Sequence, residues 1–357
     1  MTTSMTSSRQ LTVRVSCDQI TEDLAAMTDY EFNGQSQFTP PVMGVVPKGF
    51  SLGLIVGPSG SGKTTLLKNF GAERKPGWDR DRAIASHFNT AEEAHEKFNA
   101  VGLNTVPTWL RPFHVLSTGE KFRANLARSL GDNRVIDEFT SVVDRNVAAS
   151  CSNALSRYAK NNKVKGLVLA TCHYDVAEWL QPDWVFDTAA GEFTGRGSRC
   201  RPTIELDITP CRKETWSLFR EHHYLSSDLN KSSRCWVISW EGEIVGFSSA
   251  LAFPNGNFKN AWREHRTVVL PDYQGMGFGV RISDTIGEIF IAQGSRYFSK
   301  TAHPRFGGYR NATKTWRGTS KNGKARKDYR EDFRTKEDAH KMRHAGRVCY
   351  SHEYIGG

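Results

Sequence analysis

The sequence predicts a mixed α/β protein in which an α/β domain is followed by an α+β domain. Two observations predict this class. An apolar run ending at Val56 leads into a glycine-rich loop and then into residues that favour helix, and the same order of strand, glycine loop and helix returns after Leu270. A chain of 357 residues is long enough for two domains, each with its own core.

The first glycine-rich loop carries the pattern G-x-x-x-x-G-K-T of a P-loop NTPase. Its glycines let successive backbone N–H groups face an anion at the N-terminus of the following helix. Lys63 is expected to reach the β- and γ-phosphates of a nucleotide, and Thr64 to hold Mg²⁺. The loop residues predicted to bind ATP are Gly57, Pro58, Ser59, Gly60, Ser61, Gly62, Lys63, Thr64 and Thr65.

Four further motifs follow the loop in a fixed order. They are L-S-T-G-E from Leu116, V-I-D-E from Val135, S-V-V-D from Ser141, and an apolar run from Leu167 that ends in His173. Together with the loop they resemble the signature, Walker B, D-loop and switch histidine of ABC ATPases. The resemblance covers residues from about 10 to 190.

The ABC resemblance implies a role for each of these motifs. Asp137 would hold the magnesium through water, Glu138 would polarise the attacking water, and His173 would contact the γ-phosphate. Ser117 and Gly119 of the signature would serve a nucleotide bound to a second copy of the chain. Because the chain has one loop and one signature, the resemblance implies a head-to-tail homodimer.

The chain departs from the ABC pattern where the family has a glutamine after the next strand. No glutamine occurs between Gln37 and Gln181, and Ser86, His87 and Asn89 are the available substitutes. The span from the loop to the signature is also short, which predicts a reduced helical subdomain and disfavours a transporter ATPase. Helices are predicted at 91–100 and 118–130 in this span and just after it.

Three aromatic residues precede the loop and could stack on adenine, as the aromatic residue of the family's A-loop does. They are Tyr30, Phe32 and Phe38. An aromatic side chain in a small sheet also serves as core, so both roles remain open here.

Composition bounds the class of protein. No stretch of about 18 apolar residues suggests a membrane span, and residues 1–10 lack the apolar core of a signal peptide. A soluble, cytoplasmic protein that binds no membrane is therefore expected. The seven cysteines include no C-x-x-C pair, which favours reduced thiols over a disulfide framework or a zinc site.

A second motif defines the C-terminal domain. Two predicted strands joined at Glu241-Gly242 precede a third strand that ends at Leu270, and Q-x-x-G-x-G then opens a helix. This arrangement resembles the acyl-CoA-binding motif of GNAT acyltransferases, with the coenzyme diphosphate at the helix N-terminus. The residues implied to bind acetyl-CoA or a related acyl-CoA are Val269, Leu270, Gln274, Gly275, Met276, Gly277, Phe278 and Gly279.

The GNAT resemblance also suggests residues for proton transfer. Glu264 or His265 is a candidate general base, and Tyr309 is a candidate acid for the departing thiolate. A surface or core role is the alternative for each. His222-His223-Tyr224 could face the acceptor, but adjacent histidines project in different directions and do not favour a metal site.

The net charge of +10 is concentrated near the C-terminus. Residues 296–347 contain 16 Lys/Arg and 5 Asp/Glu, a net charge of +11. Trp316, Tyr329 and Phe333 are interspersed among these cations, a pattern typical of nucleic-acid binding. A solvated, partly disordered tail is the alternative.

The combination of motifs resembles a family of ABC-type ATPases fused to GNAT acetyltransferases, known from phages and prokaryotes. The acyltransferase half is loosely similar to phage Mom DNA-modification enzymes. The resemblance implies ATP, Mg²⁺ and acyl-CoA as ligands. We expect an enzyme that acylates an amino group on nucleic acid, such as the amino group of a modified base. The alternative is an ATP-dependent nucleic-acid-binding or repair-type ATPase whose GNAT domain is non-catalytic or acts on protein.

The expected organisation along the chain has five parts. Residues 1–10 are predicted to be disordered, 11–190 to form the ABC-type domain, and 191–203 to be a linker. Residues 204–347 are predicted to form the GNAT domain with its basic extension, and 348–357 a tail.

Overall fold

The computed structural model describes residues 10–28, 30–197, 200–223, 228–253, 258, 260–325 and 348–357. The chain divides into two units. The first comprises residues 1–103 and 108–202, and the second comprises residues 104–107 and 203–357. Within the described ranges, no helix combines the length and apolar character needed to cross a membrane.

The first unit contains a small antiparallel pair and a larger, mainly parallel sheet. The pair is β1 (Leu11–Arg14) and β2 (Gln35–Phe38), with α1 (Gln19–Thr28) between them. The larger sheet has strand order β4-β5-β3-β6-β7, and only β7 is antiparallel to its neighbour. Its strands are β3 (Leu52–Val56), β4 (Val135–Ile136), β5 (Leu167–Thr171), β6 (Trp184–Asp187) and β7 (Glu192–Gly195).

Helices pack around this sheet, which explains why β3 and β5 are buried at every position and largely apolar. They are α2 (Lys63–Leu67), α3 (Ala91–Ala100), α5 (Thr118–Ser129), α6 (Arg145–Asn161) and α7 (Val176–Leu180). The short helix α4 (Val106–Trp109) has its first two residues in the second unit and its last two in the first. The 3₁₀ turns are Lys68–Phe70, Ile84–His87 and Phe113–Val115. The helices predicted at 91–100 and 118–130 are confirmed, and α5 ends one residue early.

Part of the predicted linker at 191–203 belongs to this sheet instead. Residues Glu192–Gly195 form β7 and pair with β6. The glycine and arginine content suggested a connection, but an antiparallel edge strand needs few apolar residues because much of it faces solvent. The prediction of a linker was wrong for these residues.

The second unit is built on one larger sheet of strand order β13-β15-β12-β11-β10-β9-β8, with β14 also paired to β15. Its strands are β8 (Asp207–Cys211), β9 (Arg234–Trp240), β10 (Glu243–Ala252), β11 (Ala261–Val269), β12 (Arg296–Thr301), β13 (Trp316–Gly318), β14 (Lys324–Ala325) and β15 (Val348–Tyr354). The helices are α8 (Phe278–Ala292) and α9 (Pro304–Ala312), and the 3₁₀ turns are Lys213–Leu218, Arg220–His222 and Pro271–Tyr273.

The predicted tail at 348–357 is largely a strand inside the second sheet. β15 lies between β12 and β13, and Tyr354 packs against Gly287 of α8, where a Cβ would lie 2.5 Å from its ring. The prediction of a tail was wrong because the segment's buried residues come together only through pairing with distant strands. Within the predicted basic extension, residues 326–347 lie outside the described residues.

Candidate functional site

The first glycine loop connects β3 to α2 beside a cavity of about 550 Å³. Gly62 is the N-cap of α2, with φ 91° and ψ 11°, and no side chain caps this helix. The first backbone N–H groups of the helix are therefore open to an anionic ligand. The predicted residues that line the cavity are Ser59, Gly60, Gly62, Lys63, Thr64, Thr65, Asp137 and Glu138.

Lys63 holds the loop from within. Its Nζ donates hydrogen bonds to the carbonyl oxygens of Gly57, at 2.9 Å, and Pro58, at 2.7 Å. These bonds place an ammonium group at the wall of the cavity. A phosphate oxygen can replace either carbonyl as the acceptor, so Lys63 is positioned to bind an anion.

Thr64 and Asp137, the two predicted magnesium ligands, are in direct contact. Thr64 Oγ1 donates to Asp137 Oδ2 at 2.6 Å. The other carboxylate oxygen accepts the backbone N–H of Glu138 at 2.9 Å. A hydroxyl and a carboxylate beside a phosphate-binding loop are the hard oxygen ligands that Mg²⁺ prefers. Glu73 accepts the Asp137 N–H at 3.1 Å, a contact that no motif predicted.

Thr188 is a second residue that the motifs did not reveal. It is buried at the end of β6, and its Oγ1 donates to the carbonyl oxygen of Val56 at 3.0 Å. It also lies 2.5 Å from Ser61 Oγ. A Cβ on Gly57 would lie 1.9 Å from the Thr188 hydroxyl. Thr188 therefore contacts the glycine loop at Gly57 and Ser61. The predicted ATP-binding residues Gly57, Pro58 and Ser61 do not line the cavity.

Of the three aromatic candidates, Phe38 lines the cavity. Its ring lies against the loop, since a Cβ on Gly62 would be 2.8 Å from Phe38 Cζ. The Tyr30 side chain is 66% exposed and does not line this cavity. Phe32 does not line it either. Of the three rings, Phe38 is therefore the one that lies beside the glycine loop, and its contact with a nucleotide base stays a prediction.

The His173 side chain contacts a neighbouring threonine. Its Nδ1 lies 3.0 Å from Thr140 Oγ1, and its backbone N–H donates to Thr171 Oγ1. Burial, with a smaller contribution from the Arg145 charge, lowers the pKa of His173. The residue of this segment that lines the cavity is Cys172. The predicted contact of His173 with the γ-phosphate stays a prediction.

The signature residues form the start of α5 and do not line the cavity. Ser117 is the N-cap, its Oγ accepts the N–H of Glu120 at 3.3 Å, and the Glu120 carboxylate accepts the N–H of Ser117 at 2.9 Å. This capping box explains the Glu in the fifth position of the motif. Neither Ser117 nor Gly119 reaches the nucleotide cavity of its own chain.

The three substitutes considered for the missing glutamine are all bonded locally. His87 Nε2 accepts the N–H of Asp79 at 3.0 Å, the carbonyl of Ser86 accepts from Arg82, and the Asn89 amide donates to Glu93. None of the three lines the cavity. The structure therefore assigns none of them to the place of that glutamine.

The second unit contains a gap between two parallel strands. β11 and β12 pair only over Ala261–Arg263 and Arg296–Phe298, although β11 continues to Val269 and β12 to Thr301. The register between β10 and β11 also skips His265, which makes this residue a β-bulge. Beyond these positions the carboxyl ends of the two strands diverge and leave backbone groups of β11 unpaired on that side.

The glycine loop of this unit ends directly beside the gap, between β11 and α8. Gly277 is the N-cap of α8, with φ 92° and ψ 9°, and no side chain caps the helix. The backbone N–H groups of Phe278 and the next residues are therefore available to a diphosphate. The glycine at position 279 allows α8 to pack against α9, since a Cβ there would lie 2.8 Å from the Phe306 ring of α9.

The strand end refines the predicted contacts with the thioester. The Leu270 N–H donates to Val245 of β10 at 2.9 Å, and the Val269 carbonyl accepts from Gln274 Nε2 at 3.0 Å. Because backbone groups alternate in direction along a strand, the Val269 N–H faces the gap. Gln274 Oε1 also accepts from the Asn104 N–H, so the Gln274 side chain braces the loop.

Glu264 does not have the environment of a free general base. Thr267 Oγ1 donates to its Oε1, and Ser299 Oγ and Arg310 donate to its Oε2 at 2.5 and 2.7 Å. Burial opposes ionisation, but the Arg310 guanidinium and the hydroxyl donors outweigh it, and the pKa of Glu264 is lowered. A buried ion pair, with side chains 11% and 1% exposed, explains this residue better than proton transfer does.

His265 is the remaining base candidate, at the bulge of β11. Its Nε2 lies 3.4 Å from the backbone N–H of Asn230. Burial, together with the charges of Arg266 and Arg263, lowers the pKa of His265 to about 4. The imidazole is therefore neutral near pH 7, and it accepts a proton as a weaker base than a free histidine does.

The Tyr309 phenol is engaged by a buried carboxylate. It donates to Asp284 Oδ2 at 2.5 Å, and Trp316 Nε1 donates to the other oxygen at 2.7 Å. Burial and this hydrogen bond raise the pKa of Tyr309. A phenol held in this way is a weaker acid than a free tyrosine, and its predicted role as the acid stays a prediction.

Comparison with known proteins supports the assignment of the second unit. The sequence profile of the Acetyltransferase (GNAT) family matches residues 201–305. The chain therefore contains a GNAT acetyltransferase domain, and the predicted mixed α/β class is confirmed. A search of curated proteins returned no match.

Similar solved structures fall into two groups. One includes a Bacillus subtilis acetyltransferase in complex with CoA (12% identity, 43% of this chain and 98% of that chain, TM-score 0.31). It also includes the ribosomal-protein-S18-alanine N-acetyltransferase of Escherichia coli (10%, 43% and 97%, TM-score 0.30). The other includes a dimeric ATP-binding cassette bound to ADP and phosphate (15%, 47% and 94%, TM-score 0.36).

Proposed function

We propose that the protein is an ABC-type ATPase joined to an N-acyltransferase that transfers an acyl group from acetyl-CoA, or a related acyl-CoA, to an amino group on nucleic acid. The observation that carries the proposal is the same in both units. Each has a strand, buried in the first unit and partly buried in the second, that leads through a glycine loop into a helix N-terminus without a side-chain cap. The free backbone N–H groups at the start of α2 and of α8 can each bind the phosphate groups of one ligand.

The residues of the first site have separate tasks in this proposal. Lys63 and the N–H groups at the start of α2 bind the triphosphate, and Phe38 contacts the base. Thr64 and Asp137 would hold Mg²⁺, which supplies charge neutralisation when bound. Glu138 orients the attacking water, and catalysis rests on position and electrostatics. Positive φ at Glu138 (48°) is an uncommon conformation for a residue with a side chain, and it supports a placement dictated by function.

We infer a homodimer, and the position of the signature supports this inference. Ser117 and Gly119 do not line the cavity of their own chain, and both lie at the N-terminal end of α5. In the proposal, they face the nucleotide of a second copy, as the ABC resemblance implies. Nucleotide binding then brings two copies together, and hydrolysis releases them.

The second site binds the acyl-CoA by its diphosphate and its thioester. The diphosphate lies at the N-terminus of α8, and the Val269 N–H binds the thioester carbonyl in the gap between β11 and β12. His265 removes a proton from the acceptor amine, directly or through water. The amine then attacks the carbonyl, and the thiolate leaves with a proton from the solvent or from Tyr309.

The nucleic-acid acceptor is supported by charge. Sixteen Lys/Arg residues lie between 296 and 347. Arg310 is buried in its ion pair with Glu264, and the described cations on or near β13 and β14 include Lys314, Arg317, Lys321 and Lys324. Such a field favours a polyanion over a small neutral amine. The phosphate groups of the acceptor would be neutralised in this region.

The test uses the full chain with labelled acetyl-CoA, ATP, and DNA or tRNA. Label in nucleic acid supports the proposal, whereas label only in protein lysines overturns the acceptor. Glu138→Gln should keep ATP binding and lower turnover at least about 100-fold. Lys63→Ala should lose ATP binding. Equal ATP turnover in the wild type and in Glu138→Gln would contradict the first half of the proposal.

A second candidate is an ATP-dependent nucleic-acid-binding protein whose GNAT domain binds acyl-CoA without transfer. The observation that favours it is that the carboxylate of Glu264 and the phenol of Tyr309 are both held in buried hydrogen bonds. The two candidates differ in one experiment. If acetyl-CoA raises the melting temperature of the protein but its labelled acetyl group is transferred to no acceptor, this second candidate is favoured.

A further inference from the structure

Two cysteines are paired across neighbouring strands in the second unit. In the antiparallel register of β8 and β9, Cys211 lies directly opposite Cys235. Both are free thiols. Among the described strands, no other two cysteines occupy the same register position. Side chains of directly opposed residues lie on the same face of a sheet, so the two sulfur atoms are neighbours.

The surroundings of the pair agree with the register. Cys235 is buried with Trp216 and Phe247, and Cys211 packs against the edge of this cluster. Both cysteines also line a cavity of about 460 Å³, whose rim carries the exposed residues Arg212 and Lys213. A small molecule in this cavity therefore reaches Cys211, the more exposed thiol, with Cys235 beside it.

The strand geometry suits a disulfide. Opposed residues of antiparallel strands have Cα atoms about 4.5 to 5.5 Å apart, and disulfides join Cα atoms about 4.4 to 6.8 Å apart. The bond can therefore form without separating the strands. Pro210 precedes Cys211 on β8, which is the edge strand of the sheet. An edge strand can adjust to the bond more easily than a central one.

We propose that Cys211 and Cys235 form a redox-active dithiol that closes to a cross-strand disulfide by exchange with a small-molecule disulfide. The Cys211 thiolate attacks the small disulfide, forms a mixed disulfide and releases one small thiol. The Cys235 thiolate then attacks Cys211 Sγ and releases the second small thiol. One protein disulfide forms and one small disulfide is reduced by two electrons, while the two protons of the cysteines end on the two released thiols.

Burial of the two cysteines slows reactions of a single thiol with reagents in solution. Burial raises the pKa of Cys235 to about 11, and burial also raises the pKa of Cys211. Thiolates are therefore scarce at neutral pH, and isolated alkylation is slow. In the second step of the exchange, the adjacency of Cys235 to the mixed disulfide raises the effective concentration of its thiol and offsets part of this loss.

The experiment uses full-length protein in which the exposed Cys17, Cys172 and Cys200 are replaced by serine. After treatment with oxidised glutathione, a peptide joining residues 211 and 235 and a mass loss of about 2 Da are expected. The melting temperature should rise by about 5 °C and return on reduction, because a link across this loop constrains the unfolded chain.

Two variants provide the controls. Cys235→Ser should accumulate a glutathione adduct on Cys211, about 305 Da heavier, because no neighbour resolves it. Cys349→Ser changes a buried cysteine that faces no other cysteine in the register and should leave the disulfide unchanged. A stable adduct on Cys211 while Cys235 is present, or no mass change at all in folded protein, would overturn the proposal. Circular dichroism of each variant checks the fold.

Discussion

Gly62 and Gly277 adopt nearly the same left-handed backbone conformation, with φ and ψ of 91° and 11° in one and 92° and 9° in the other. Each is the N-cap of the helix after its loop, and neither helix has a side-chain cap. One loop belongs to a mainly parallel sheet and the other to a mainly antiparallel one. The same local geometry thus opens a helix N-terminus to an anion in two different folds.

Substitution of alanine for each of these glycines should weaken the binding of one ligand and leave the binding of the other unchanged. Gly62→Ala should weaken ATP binding at least about 10-fold, because a left-handed Ala costs about 1 to 2 kcal/mol and its Cβ would meet the Phe38 ring. Gly277→Ala should weaken acyl-CoA binding by a similar factor. Calorimetric titration of each variant with both ligands measures this. Each variant is the control for the other, and loss of both affinities in one variant would contradict independent sites.

Phe38 is expected to contribute to ATP affinity by contact with the base. Phe38→Ala should raise the Kd for ATP about 10-fold, since stacking of a base on an aromatic ring is worth about 1 to 3 kcal/mol. Tyr30→Ala is the matched control, because this ring is exposed outside the cavity, and it should leave the Kd unchanged. Fluorescent-nucleotide titration checks both, and the reverse ranking would assign the base to Tyr30.

The Glu264–Arg310 ion pair is expected to stabilise the second unit. Glu264→Ala leaves a buried guanidinium without its partner and should lower the free energy of unfolding by about 3 kcal/mol. Because the pKa of Glu264 is lowered from 4.5, its contribution to stability is complete above pH 4.5 and is lost as the pH falls through the folded-state value. Urea unfolding from pH 3 to pH 7 measures this.

The control for that prediction is a variant that removes both charges. Glu264→Gln combined with Arg310→Met should lose less stability than Glu264→Ala, because no unpaired buried charge remains. If Glu264→Ala unfolds with the same midpoint as the wild type at pH 7, the carboxylate is not part of a stabilising pair.

His265 is expected to act in acyl transfer without binding the coenzyme. His265→Gln should lower kcat about 100-fold and leave the Kd for acyl-CoA unchanged. Since the pKa of His265 is about 4, below its usual 6.5, the imidazole stays neutral as the pH falls from 7 toward 4. In the wild type, the limb of kcat/KM that reports this group should therefore lie near pH 4. A midpoint near 6.5 would indicate an exposed histidine.

The same lowered pKa has a consequence for stability. The unfolded chain takes up a proton at this histidine near pH 6.5, whereas the folded chain does so only near pH 4. Between these values the unfolded state binds more protons, so this group makes the protein less stable as the pH falls. His265→Gln should remove that slope, which urea titrations at pH 5 and pH 7 can measure.

The sequence by itself determined the two loops and their helices, because each signal lies within about 25 consecutive residues. Strand, glycine turn and helix are local structures, and the identities of Lys63, Thr64 and Gly277 follow from what an anion at a helix N-terminus requires. The order of motifs along the chain also predicted the mixed α/β class and its two domains.

Only the tertiary structure decided which residues from distant segments of the chain contact one another. It placed Phe38, one of three aromatic candidates, in the wall of the cavity. It also placed Thr188 against Ser61, 127 residues away, and joined Arg310 to Glu264 across 46 residues. It also made 348–354 an inner strand. Such contacts depend on strand pairing and packing between distant segments, and no periodicity within one segment carries that information.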